Sequence, residues 1–215
     1  MNIEDKIKEM KKYDFLYSNP NTPAVVGKYG DGNHRVEYLK NMDTFSKLFI
    51  DTVRYSKKIL DVGCGTGGVL KYIKQFNETG NFVGVDISKE AVKISNNICI
   101  MEMDCTEMDF DNNKFDVVFC FDVMEHIPSE YLFKALAEQV RVSSRYIFHR
   151  TCLNNYSGQD KILTENGFEP AHISGKPYRW WKNFLNINKN ILSYNIIYLE
   201  KSKDYINVVL EKHGN

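Results

Sequence analysis

The residues with the clearest chemical purpose lie in one stretch, Ile59-Leu-Asp-Val-Gly-Cys-Gly-Thr-Gly-Gly68. Glycines at 63, 65 and 67 let a chain turn sharply out of a strand and let a ligand lie against bare backbone. Gly63, Gly65 and Gly68 also satisfy Gly-x-Gly-x-x-Gly, the spacing that cradles a dinucleotide, so a nicotinamide or flavin enzyme enters the comparison. Asp86, at the end of the next apolar run, can hold ribose hydroxyls in either case. Asp61 separates the two: a pyrophosphate would meet an opposing charge there, whereas a cationic amino group would be held. Asp104 abuts a third apolar run and can accept from an adenine amine, while Glu107, Asp109 and Asp111 lie farther along. A second constellation is Asp122-Val-Met-Glu-His-Ile-Pro128, whose His126 has an ordinary pKa suited to general base chemistry.

These residues need rigid elements beneath them. Lys58–Val62, Asn81–Asp86, Ile98–Met103, Lys114–Phe121 and Arg145–His149 read as strands, and the apolar run of the fourth suits burial on both faces. Between them Val69–Phe76, Lys89–Asn96 (capped by Ser88) and a stretch through Arg141 (capped by Ser129) have helical spacing. Gln159–Asn166 reads as a short helix stopped by Gly167. Residues 193–200 and 205–211 are joined by Lys-Ser-Lys-Asp, too short for a parallel crossover, and so form an antiparallel hairpin. The expected fold is α/β: a Rossmann-like, doubly wound, seven-stranded sheet, mostly parallel, with a terminal antiparallel hairpin. Residues 1–57 read as an N-terminal helical cap, 58–215 as the main domain, and 150–190 as an acceptor-side insertion.

At 215 residues, 43% hydrophobic and 26% charged, the chain has the make-up of one globular domain, which excludes low-complexity and collagen-like classes. Lys+Arg and Asp+Glu are both 28, which excludes a uniformly basic nucleic-acid binder. The balance is uneven, however: residues 1–58 carry 11 basic and 8 acidic groups, 59–142 carry 7 and 14, and 171–215 carry 7 and 3. The first residues have no apolar signal region, and no apolar run reaches membrane-spanning length, so a cytoplasmic protein is expected. Five cysteines without a Cys-x-x-Cys pair argue against zinc clusters and disulfide frameworks.

In order and spacing these motifs resemble those of the class I S-adenosylmethionine-dependent methyltransferases. The first motif matches Leu60–Gly67, the ribose acid Val85-Asp86-Ile87, the adenine acid Asp104, and the fourth-strand motif Phe115–Pro128. The resemblance implies S-adenosylmethionine as cofactor, held by Asp61, Gly63, Cys64, Gly65, Gly67, Asp86, Ile87, Asp104, Cys105 and Phe121. It also implies that residues 58–215 form the methyltransferase domain, transferring a methyl to an oxygen or nitrogen.

His126 is the first candidate base, although the Glu-His pair at this place also serves as a pocket wall in many members. Asp122, Glu125, His126 and a later His172 resemble the Mg²⁺ site of ubiquinone-type and small-RNA O-methyltransferases. Asp replaces the usual Glu there and imidazole suits Mg²⁺ less than oxygen does, so Mg²⁺ is not favoured and no metal ligand is assigned. Ala171-His172 followed by Trp180-Trp181 and Phe184 is similar to a segment of sugar-pathway methyltransferases, in which the His faces the acceptor. His172 is therefore the second catalytic candidate, while the aromatics equally fit plain core at helical spacing. His149, His34 and Arg35 are weaker pocket candidates, Arg35 as a partner for the cofactor carboxylate. DNA-base motifs are missing after the fourth strand. A small-molecule acceptor is expected, a sugar, glycan precursor or metabolite, anionic if the basic arms roof its pocket. RNA or protein methylation and a non-catalytic cofactor-binding scaffold are the alternatives.

Overall fold

β-Branched and aromatic runs build a single sheet in the order β3-β2-β1-β4-β5-β7-β6. The strands are β1 (Lys58–Val62), β2 (Asn81–Asp86), β3 (Cys99–Glu102), β4 (Phe115–Phe121), β5 (Ser143–Cys152), β6 (Tyr194–Lys201) and β7 (Tyr205–Lys212). The first five run parallel, and β7 pairs antiparallel with both β5 and β6. The computed structural model describes residues 1–19, 33–95, 99–155 and 157–213. Its helices are α1 (Ile3–Ser18), α2 (Asn33–Lys40), α3 (Thr44–Arg54), α4 (Gly68–Lys74), α5 (Lys89–Ile94), α6 (Leu132–Val142), α7 (Asp160–Glu165) and α8 (Tyr178–Asn188).

Strand side chains alternate between faces, and the core divides accordingly. Leu60, Val62, Val118 and Cys120 pack with Leu132 and Leu136 of α6 and Trp181 and Leu185 of α8. Ile59, Val117, Phe119 and Phe121 face the other way, onto Phe45, Phe49 and Val53 of α3 and Val69, Leu70 and Ile73 of α4. Phe49 stands edge-on to Phe119, Phe121 and Phe148 at 5.0–5.3 Å, and each such buried ring stabilises the fold by roughly 1.5–3 kcal/mol. Among the described residues, no helix is long and apolar enough to cross a membrane.

Two expectations need correction. The fifth strand runs from Ser143 to Cys152, longer than the apolar core of its sequence, because Ser143 pairs with Phe115 of β4 and the residues through Cys152 pair with β7. Ser129 does not cap α6: it opens a 3-10 turn and its hydroxyl meets that of Ser174 at 3.0 Å. Gly167, with φ of +80°, ends the region of α7 as the sequence predicts. The expected helix end at Asn96 and strand start at Ile98 lie outside the described residues.

α1 lies across the carboxyl ends of the strands. Asp14 Oδ1 accepts from Ser88 Oγ (2.7 Å) and from the Glu90 backbone N–H (3.2 Å), which ties the helix to the start of α5. Asp5 accepts from the Tyr131 hydroxyl at 2.6 Å, and Leu16 is fully buried against Leu163 and Ala171.

Candidate active site

Beneath α1 the structure encloses a cavity of about 300 Å³. One side is lined by Gly63, Cys64, Gly65, Asp86, Ile87, Asp104 and Cys105, the other by Glu9, Tyr13, Glu125, His126, His172 and Asp204. This is the position at strand ends where ligands bind in open α/β sheets.

The glycine turn explains the first side. Gly63, Gly65 and Gly67 have φ of +71°, +55° and +83°. A Cβ at Gly63 would overlap Val123, so glycine is required there for space as well as conformation, whereas one at Gly65 would meet only the tip of Tyr17, Oη at 2.7 Å, and conformation decides. The Gly63 and Cys64 N–H groups donate to Val85 O at 2.8 and 3.0 Å. Asp86 is fixed by the Gly65 and Ser88 N–H groups at 2.8 and 3.0 Å, and burial raises its pKa despite them. Asp104 accepts from Thr106 N and Oγ1 at 2.8 and 2.9 Å, and its other oxygen lies 3.8 Å from the Met1 amino group.

Asp61 is 1% exposed, and neither of its carboxylate oxygens has a hydrogen-bond partner. Burial lifts its pKa to about 8, against the pull of Arg35. It does not itself line the cavity, and neither does Gly67, which shapes the turn at the start of α4. Phe121 is a correction. Alternation along β4 turns its side chain onto Phe45 and Phe49 on the opposite face, with 1% exposure, so that side chain is core and does not line the cavity.

Asp122 holds an unusual backbone conformation, φ +54°. Arg150 grips both of its oxygens, His34 Nε2 meets one at 3.0 Å, and Arg35 bonds its carbonyl at 3.1 Å and the Gly63 carbonyl at 2.9 Å. Burial pushes the Asp122 carboxyl up, but Arg150 and the His34 hydrogen bond outweigh it and hold the group well below the usual range. The Arg150 guanidinium is itself sandwiched, 3.6 Å from the Tyr205 ring and 4.3 Å from the Tyr38 ring. Sequence reasoning missed Arg150 because its partner lies 28 residues away.

Glu125 is fully buried: one oxygen accepts from Cys152 N at 3.0 Å and the other has no partner. Burial and the nearby Asp122 charge raise its pKa to about 8. His126 Nδ1 lies 2.9 Å from Ala171 O and His172 Nδ1 lies 2.9 Å from Asn154 O. A carbonyl only accepts, so each Nδ1 carries the proton and each Nε2 keeps its lone pair. Burial, then the neighbouring His172, lowers the His126 pKa to about 3, and burial lowers that of His172. Their rings stand edge-to-face at 4.7 Å. Ligand atoms of Glu125, His126 and His172 all lie within 4.8 Å of one another.

His149 faces away, with Trp181 and Leu185 beside a much smaller cavity, and Trp181 is core at 3% exposure. Arg35 is the one lysine or arginine among the described lining residues, against Glu9, Asp86, Asp104, Asp122, Glu125 and Asp204.

A family model described as "Methyltransferase domain" matches residues 59–145. The chain is 27% identical to "Putative methyltransferase 235L" of Invertebrate iridescent virus 6, over 77% of this chain and 71% of that protein. It is 28% identical to the mitochondrial ubiquinone biosynthesis O-methyltransferase of Schizosaccharomyces pombe, over 68% of this chain and 65% of the relative. In fold it is similar to the magnesium protoporphyrin IX methyltransferase of Synechocystis PCC 6803 crystallised with bound SAM, with TM-score 0.65, 15% identity and 99% of both chains covered.

Proposed function

Since the chain belongs to the class I S-adenosylmethionine-dependent methyltransferases, we propose that it methylates an oxygen or nitrogen of a small molecule. A sugar, glycan precursor or related metabolite is the first class to test. The observation that carries the reading is His126: its Nε2 lone pair, fixed by the Nδ1–Ala171 bond, opens into the same cavity as the glycine turn.

The residues fit the cofactor. Asp61 is a buried, unpartnered carboxylate behind the lining, whose charge an ammonium group in the cavity would offset through space, and Asp86 stands in the lining beside the glycine turn. Bound there, S-adenosylmethionine supplies a methyl carbon made electrophilic by its sulfonium. The protein's part is to align the acceptor, exclude water and take its proton at His126 Nε2, or at the adjacent His172 Nε2. Burial lowers both pKa values, which leaves each Nε2 lone pair unprotonated and able to accept, at a cost in base strength. Among the described residues, the basic arms expected to roof an anionic acceptor contribute Arg35 alone to the lining.

Calorimetry with S-adenosylmethionine, followed by release of S-adenosylhomocysteine over a panel of nucleotide sugars, phenols and amines, tests the reading. His126→Gln should lower kcat by about 10²–10⁴-fold with cofactor affinity kept, and an unchanged kcat removes His126 as base. Binding without turnover on the panel would favour a scaffold, and turnover confined to RNA or protein would replace the small-molecule acceptor.

One observation supports a second reading, the convergence of Glu125, His126 and His172 ligand atoms. Two imidazoles and one carboxylate suit a transition metal better than Mg²⁺, and Asp122 is already committed to Arg150. Running the same assay after chelation and with added Mn²⁺, Zn²⁺ or Mg²⁺ separates this reading from base catalysis.

A further inference from the structure

α1 brings a polar residue into the cavity that no motif announces. Tyr13 lines the wall, its hydroxyl is buried, and that hydroxyl has no hydrogen-bond partner. Its ring stands edge-on to His126, with centroids 6.0 Å apart. Burial acts on it most, then the charge of Glu9 on its own helix, followed by Asp86 beside the glycine turn and Glu125 beside His126. Glu9, one turn earlier on the same helix, and the adjacent Lys12 form a buried ion pair at 2.7 Å, with 7% and 1% of their side chains exposed, and Lys12 Nζ lies 5.2 Å from the Tyr13 ring centre. A buried hydroxyl left unpaired is costly, and such groups persist where a ligand completes them.

We propose that Tyr13 donates a hydrogen bond to the acceptor atom, and that this atom is a hydroxyl oxygen. The inference rests on His126 as base. The two histidines offer only lone pairs toward the cavity, because both Nδ1 protons are bound to carbonyls. Tyr13 adds a buried, unpartnered O–H on the cavity wall. A hydroxyl has one proton and two lone pairs. It can donate to His126 Nε2, accept from Tyr13, and keep the second lone pair for the methyl carbon. A neutral amine nitrogen has a single lone pair, so the Tyr13 bond would consume the electrons needed for attack. In the transfer the acceptor oxygen bonds the methyl carbon as the methyl–sulfur bond breaks. Sulfur keeps that electron pair as a neutral thioether, and the hydroxyl proton passes to His126 Nε2.

Binding and turnover both test this. Phenol and aniline are titrated by calorimetry into the whole protein saturated with S-adenosylhomocysteine, and the titration is repeated with Tyr13→Phe. Phenol should bind about five- to ten-fold tighter than aniline, and Tyr13→Phe should erase that preference with S-adenosylhomocysteine affinity kept. Equal binding, tighter aniline binding, no binding of either probe, or a preference that survives in Tyr13→Phe overturns the proposal. Affinity for S-adenosylhomocysteine reports whether the variant has folded. Should Tyr13→Phe lose it, Tyr13→His, which restores a ring N–H donor, must recover both that affinity and the phenol preference, or the proposal fails. In turnover, loss of activity in His126→Gln without any change in Tyr13→Phe overturns the role of Tyr13 and leaves the base in place. Unchanged activity in His126→Gln instead overturns the base, and this proposal with it.

Discussion

Replacing Asp61 by Asn should make the empty protein more stable at neutral pH and a worse binder of S-adenosylmethionine. The carboxylate is 1% exposed and unpartnered, and burial moves its pKa from the ordinary 3.8 to about 8. A carboxyl with a raised native pKa opposes folding above its unfolded value. The penalty is absent below about pH 4, grows by about 1.4 kcal/mol per pH unit, and levels off near pH 8. At pH 7 this is about three units, on the order of 4 kcal/mol. An amide does not ionise, but its buried N–H groups go unpaired, at about 1–3 kcal/mol. Asp61→Asn should therefore gain about 1–3 kcal/mol at pH 7 and lose a similar amount near pH 4, a change of several degrees in Tm with opposite signs. The missing charge on the ligand's ammonium should weaken cofactor binding by about 10–100-fold. Wild-type binding at pH 7 should release close to one proton, which calorimetry in two buffers of different ionisation enthalpy measures. A variant less stable than wild type at pH 8, or one that binds the cofactor as tightly with the same proton release, would refute the reasoning.

Arg150→Met should destabilise the protein by about 3–5 kcal/mol, because it removes the guanidinium whose Nη1 meets both oxygens of buried Asp122. Thermal unfolding of Arg150→Met alone and with Asp122→Asn measures this, and the second change should return part of the loss. Gly65→Ala forces a side chain into φ +55° beside Tyr17 Oη, at about 1–2 kcal/mol. Its cofactor affinity, measured by calorimetry, should fall together with Tm.

Much of the scaffold is legible in the chain because strand period and glycine punctuation are local signals. Lys58–Val62 and Asn81–Asp86 have as strands the limits that their sequences predict, and the four-residue link after residue 200 dictates the antiparallel pairing of β6 and β7. The legible part of the site follows from this, since Gly63, Gly65, Asp86 and Asp104 lie at or just past the carboxyl ends of β1, β2 and β3. What failed is long-range or two-sided. β4 is apolar on both faces, so nothing in its sequence says which side Phe121 takes. Arg150 looks like a loop residue until Asp122, Tyr38 and Tyr205 surround it. Tyr13 sits in a helix that reads as charged surface, and its role depends on a histidine more than a hundred positions away.

The knot around Asp122 has an evolutionary consequence. Strand β5, helix α2 and the glycine turn are encoded far apart, yet Arg150, His34 and Arg35 meet at one residue and one carbonyl. A change at any one of them strands a buried charge or releases the turn. Positions 34, 35, 122 and 150 should therefore drift as a linked set among descendants of this chain, while the acceptor wall across the cavity stays free to diversify.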